Sequence, residues 1–217
     1  ELAGQRRVAA ATPLLLAAAE DADAAIRRAA ITALGSTVDQ DNLKALIGRV
    51  ASPGDPEDAA VAQKALLTAA TRMPDREAAA SAVAAALDGA PAEAQCAMLD
   101  ILGAMGGPKA LAVLAAAARH SDPSIQDTAS RLLGGWMALD AAPVLLDLAK
   151  TLPEAKYKVR ALRGYIRLVR QFTVPDQQRA AMCADAMAAA DRVEEKKLVL
   201  EVMERYPSLD MLKLATA

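Results

Sequence analysis

Apolar and small residues recur at helical spacing in four segments: IRRAAITALG (26–35), VAQKALLTAA (61–70), AQCAMLDILG (94–103) and IQDTASRLLG (125–134). In the first, Ile26, Ala29, Ala30, Ala33 and Leu34 share a face; in the fourth, Ile125, Thr128, Ala129, Leu132 and Leu133 do. This spacing predicts amphipathic helices. The segments start 35, 33 and 31 residues apart, a period that marks stacked helical units. The intervening pattern predicts second helices at about 40–51, 75–88, 108–119 and 141–151, their starts marked by Asp41, Asp75, Pro108 and residues 140–143. Looser pairs follow, 154–171 with 175–190 and 192–205 with 207–215, and residues 1–11 and 13–20 read as the remainder of an earlier pair.

Turn residues sharpen these boundaries. Pro56, Pro123, Pro153, Pro175 and Pro207 are expected in first turns, where the missing N–H has no intrahelical partner. Asp55 and Asp122 precede two of them and can cap the exposed N–H groups. Thr12 is expected as an N-cap with Pro13 opening the helix, and Gly35, Gly103 and Gly134 as left-handed helix ends. The expected organisation is one array over 1–217, with approximate pairs at 1–20 (partial), 22–52, 55–88, 91–120, 122–151, 153–190 and 191–217.

Composition supports an all-α fold. The chain is 54% hydrophobic but only 2% aromatic, and alanine, the best helix former, supplies much of the apolar count. The alternation that marks strands is nearly absent. A net charge of −2 argues against non-specific nucleic-acid binding. Cys96 and Cys183 fit buried small apolar residues, and with the single His120 they leave no metal-ligand spacing. No apolar run reaches membrane-spanning length. RRVAAATPLLLAAA (6–19) has the outline of a signal peptide but reads as a terminal helix. The acidic stretches 20–24 and 55–58 sit at helix starts, where carboxylates complement the dipole. GAMGGPKA (103–110) lacks phosphate-loop spacing and reads as a turn. With no catalytic constellation and no cofactor motif, the chain is expected to be non-enzymatic, without cofactor or metal. Opening on Glu1, it is expected to be a portion of a longer protein.

IRRAAITALG, with ILG at 101–103 and LLG at 132–134, resembles the HEAT-repeat family, particularly its short bacterial form; Ala69-Ala70 depart from the Leu-Gly of that signature. The resemblance implies an α-solenoid of about six stacked antiparallel helix pairs, a HEAT/armadillo-like superhelix. It implies a scaffolding or protein-interaction role, with nucleic-acid binding, a spacer beside a hydrolase-like domain and a lyase activity as alternatives. KYKVRALRGYIRLVRQF with EEKKLVLEVMERYPS resembles helical segments of large bacterial surface or envelope proteins, implying an envelope or secreted location.

One block stands apart. Residues 156–170 carry six cations and no anion. On a helix Lys156, Arg160, Arg163, Arg167 and Arg170 fall within an arc of about 80°, with Lys158 opposite. Two readings stay open. The strip pairs with Asp191, Glu194, Glu195, Glu201 or Glu204 of the following helix, or it binds an acidic partner, another protein or another domain of the same chain. Arginine at four of the five positions favours bidentate pairing with carboxylates in either case. Trp136 is a candidate partner anchor, or a residue partly buried at a repeat boundary.

Overall fold

The computed structural model describes residues 2–52 and 54–216. Helices α1 (Leu2–Gln5) and α2 (Thr12–Ala18) precede six helix pairs: α3 (Ala24–Thr37) with α4 (Leu43–Ala51), α5 (Pro56–Arg72) with α6 (Arg76–Ala85), α7 (Ala92–Met105) with α8 (Gly107–Ala117), α9 (Pro123–Gly134) with α10 (Ala142–Thr151), α11 (Ala155–Gln171) with α12 (Asp176–Ala189), and α13 (Val193–Arg205) with α14 (Leu209–Thr216). Among the described residues there is no strand. The first helices form one row, each packed on the next from α3 to α13; the second helices form another, and each of α4, α6, α8, α10 and α12 packs on the first helix that follows it. The result is an all-α solenoid, whose core forms because no single pair can cover its own apolar face.

The core is built from small residues flanked by leucines. Ala30, Ala33, Ala62, Ala65, Ala69 and Ala70 are buried, as are Leu34, Leu66 and Leu102. Small side chains let consecutive first helices approach closely, and this is where the expected role of the glycines is corrected. Gly35 and Gly103 lie inside α3 and α7, and neither they nor Gly134 has a positive φ. Their service is space. A Cβ on Gly35 would lie 2.9 Å from both the Cα and the carbonyl oxygen of Ala65; one on Gly164 would lie 3.1 Å from the Gly134 Cα. The left-handed backbone falls elsewhere, at Arg7, Gly89, Gly106 and Gly107.

Helix starts follow Asp. Asp23, Asp55 and Asp122 accept from the N–H groups of Ala25 (2.8 Å), Glu57 (2.9 Å) and Ser124 (2.8 Å), and Asp75 from Ala78 (2.8 Å). Other expectations are corrected. Thr12 lies within α2 with Ala11 as N-cap, and its buried hydroxyl donates to the Thr37 carbonyl at 3.3 Å. At the start of α4 the bonded carboxylate is Asp39, which accepts from the Asn42 N–H at 3.0 Å, rather than Asp41. Pro56 and Pro123 open their helices, whereas Pro153, Pro175 and Pro207 stand just ahead of theirs because the chain there is still extended between helices.

Helix ends are closed by arginine, across repeats by Arg49 and Arg72 and within a pair by Arg179. The last carbonyls of a helix have no intrahelical partner and carry the negative end of its dipole. Arg49 of α4 donates to the Ala19 carbonyl at 2.7 Å, and Arg72 of α5 to those of Gly35 (3.2 Å) and Val38. Buried Arg179 of α12 donates to Val169 and Phe172, with its guanidinium over the Tyr206 ring at 3.9 Å. Burial pushes the Arg72 guanidinium below its ordinary pKa.

Candidate functional site

The basic strip lies on α11. Tyr157, Ala161, Leu162, Tyr165, Ile166, Leu168 and Val169 of this helix are buried, which turns the cationic ridge toward solvent and toward the neighbouring first helices. Two grooves flank it. One, of about 510 Å³ between α9 and α11, is lined by Arg131, Gly134, Lys156, Arg160, Arg163 and Arg167, with Gly164 and Val159. The other, of about 380 Å³ between α11 and α13, is lined by Arg163, Ile166, Arg167, Arg170, Glu194 and Leu198. Both are open, and the ridge separates them.

The five cations differ in what they hold. Lys156 Nζ lies 2.6 Å and Arg160 Nη1 3.0 Å from Asp127 Oδ1 of α9. These two cations, the Lys156 ammonium foremost, hold the Asp127 carboxyl below its usual range. Arg163 donates from Nε to Glu195 Oε1 at 2.9 Å, and its Nη2 lies 2.8 Å from the same oxygen. The Glu195 side chain is only 1% exposed, with Arg192 Nε 3.5 Å from its other oxygen. Arg167 reaches backward: Nη2 donates to the carbonyls of Gly134 (3.0 Å) and Trp136 (2.7 Å), and Nη1 lies 3.3 Å from Gln171 Oε1. Burial, with Arg170 nearby, pushes the Arg167 guanidinium below its ordinary pKa. Arg170 is exposed, and its guanidinium has no hydrogen bond or ion pair among the described residues.

The strip therefore faces two ways at once. Of the anions expected on α13, only Glu195 serves it; the other carboxylate is Asp127, on the preceding first helix. Asp127 has a sequence signal that was available, because inter-repeat ion pairs recur near one repeat length. Arg27 with Asp58 (2.5 Å) and Arg131 with Asp100 (2.7 Å) are separated by 31 residues each, Arg160 with Asp127 by 33. Asp55, Glu57 and Asp58 all surround Arg28, and hydrogen bonds from Arg28 and then Arg27 depress the Asp58 pKa. Trp136 is 7% exposed and its Nε1 donates to Asp140 Oδ1 at 3.0 Å, so it is a boundary residue and not a protruding anchor.

The remaining candidates are dispersed. His120 Nδ1 accepts from the Asp122 N–H at 2.9 Å. Cys96 is half-buried and Cys183 buried, both free, with burial pushing the Cys183 thiol up to about 11. Among the described residues no cluster of three His, Cys, Asp or Glu could hold a metal ion, and no helix is long and apolar enough to cross a membrane.

Helix pairs at a period near 32 residues, stacked in two rows and tied by ion pairs at one-repeat separation, describe a known architecture. Residues 1–67 match the family model of HEAT repeats. No curated protein matches it in sequence. Three solved structures each align over 94% of this chain. Human deoxyhypusine hydroxylase in complex with glycerol is 18% identical, with 77% of that chain covered and a TM-score of 0.46. The complex of CpcE and CpcF of phycocyanin lyase from a Nostoc species is 20% identical, with 86% covered and a TM-score of 0.41. The archaeal HEAT-like repeats protein from Thermococcus onnurineus is 14% identical, with 88% covered and a TM-score of 0.45. The expectation of a non-enzymatic chain is corrected: an enzyme, the hydroxylase, is among the solved structures that align with it.

Proposed function

We propose that the HEAT array is a protein-interaction module whose first-helix face around α11 docks an acidic segment, carried by a partner protein or by another domain of the same chain. One observation carries this reading. Arg170 stands exposed and unpaired on the wall of an open groove, in line with Arg163 and Arg167, whose guanidiniums border the same groove. A cation with no internal partner is available to a foreign carboxylate without first breaking a bond. From Lys156 to Arg170 the strip runs about 21 Å along the helix, the reach of about six extended residues.

Nucleic acid is the weaker occupant. Single-stranded nucleic acid is held by stacking on exposed aromatic rings, and Trp136, Tyr157 and Tyr165 beside the strip are all buried. Asp127, Glu194 and Glu195 also interleave the cations, which suits pairing with discrete carboxylates better than a continuous phosphate backbone.

The test uses hexaglutamate as probe. Arg170→Glu is expected to weaken binding about tenfold, the change that about 1.4 kcal/mol makes. The fold should be unaffected, since the side chain makes no internal bond. Lys44→Glu, an exposed change on α4 far along the array, should leave affinity unchanged. Equal binding by both variants, measured by calorimetry at fixed salt, would remove the strip as the docking face.

A further inference from the structure

The same strip crosses a boundary that rests on one extensive helix contact. Between α5–α6 and α7–α8 several helix pairs pack: α5 on α7, α6 on α7 and α8, and α4 on α7. Between α11–α12 and α13–α14, three pairs do: α11 on α13, and α12 on both α13 and α14. The boundary after α9 differs. Among the described residues, the only extensive helix-on-helix packing between 2–134 and 142–216 is α9 on α11. The second-helix row, packed helix on helix through α4, α6 and α8 and again through α10, α12 and α14, has no comparably extensive packing between α8 and α10 among the described residues. There Arg119 at the end of α8 pairs with Asp147 and lies 3.3 Å from the Thr151 hydroxyl. Helix α10 instead packs on α11 and travels with it.

The α9–α11 contact is itself shaped as a pivot. Gly134 and Gly164 meet backbone to backbone, with no side chain from either to interlock. The side chains around them are long, charged and adjustable: Lys156 and Arg160 on Asp127, and Arg167 on the Gly134 and Trp136 carbonyls.

We propose that the array is two stiff blocks, 2–134 and 142–216, hinged at α9–α11 over the Gly134–Gly164 contact, and that the arginine groove opens and closes with the hinge. The groove spans the joint: Arg131 and Gly134 form one wall and Lys156, Arg160, Arg163, Gly164 and Arg167 the other. A segment that takes Lys156 and Arg160 from Asp127 therefore alters the fastening and the angle. This coupling rests on the docking reading above; the hinge does not. A ligand shifts such an equilibrium only by its differential affinity for the two states, so the coupling is reciprocal.

Spin-label distances separate the two parts. With Cys96→Ser and Cys183→Ala as background, labels at Ala116→Cys on α8 and Lys150→Cys on α10 span the seam, both positions being exposed. Labels at Ser81→Cys on α6 and Ala116→Cys span an ordinary junction. The seam pair is expected to give a distance distribution at least twice as wide as the control pair. Equal widths would overturn the hinge. With hexaglutamate bound, the seam distribution should narrow or shift; saturating binding, shown by calorimetry, without change would overturn the coupling. A wide seam with no peptide binding would keep the hinge and overturn both the coupling and the docking reading.

Discussion

Gly164→Leu is expected to lower the stability of the array by about 3 kcal/mol, at the upper end of what overpacking a close contact costs, and to split its thermal unfolding into two steps. A Cβ at this position already lies 3.1 Å from the Gly134 Cα, 3.2 Å from the Gly134 carbonyl oxygen and 3.4 Å from Leu145 Cδ1. Two of these neighbours are backbone and cannot rotate away, so a leucine drives α9 and α11 apart. Among the described residues that contact is the only extensive helix packing between 2–134 and 142–216. In a stacked array stability is roughly the sum of unit terms and nearest-neighbour interfaces, so weakening one interface uncouples the blocks on either side. Gly35→Leu supplies the comparison. Its Cβ would meet Ala65 backbone at 2.9 Å, an equally hard contact, but α4 still packs on α5, α6 and α7 across the same boundary. It should destabilise by a similar amount and keep one transition. Scanning calorimetry distinguishes the outcomes; a single undiminished transition for Gly164→Leu would contradict the close-approach account.

Leu66→Ala is expected to cost about 2–5 kcal/mol, the range for truncating a buried leucine when the surroundings cannot fully collapse. Leu66 is 0% exposed in the middle of α5. That helix is held by α3, α4, α6 and α7 at once, so relaxation of one wall pulls on the others. For a chain of this length each kcal/mol moves the midpoint by about 2–4 °C, so the loss should be plain in a thermal scan. Leu209→Ala, at a position 76% exposed, should fall within about 0.5 kcal/mol of the parent. A Leu66→Ala loss no larger than that of Leu209→Ala would contradict the placement of the core.

The repeat was legible because stacking imposes it. Each first helix must bury the same face against the same kind of neighbour, so Ala30 and Leu34 reappear as Ala129 and Leu133; Ile26, expected on that face, is 49% exposed where its counterpart Ile125 is buried. The glycines were misread because a glycine closing an apolar run fits two needs, a left-handed turn or a close helix contact. Only the distance from Gly35 to the Ala65 backbone tells them apart. The strip itself was visible, since charge at a spacing of three and four residues survives in the sequence. Its internal partners were half visible. Asp127 lies one repeat before Arg160 and could be sought there, whereas the backbone carbonyls that hold Arg167 carry no residue signature at all. Trp136 showed its rarity but not its burial, because the 3₁₀ turn at Leu139–Ala141 that brings Asp140 under the indole has no strong local signal. The sparse packing between α8 and α10 leaves no mark in the repeat length.

The most direct measurement follows the arginine Nε–H resonances of the whole array while hexaglutamate is titrated in. The docking account predicts that Arg163, Arg167 and Arg170 shift together along one isotherm while Arg28, Arg49 and Arg72 stay still. Shifts spread evenly over all arginines, or confined to those outside α11, would contradict it.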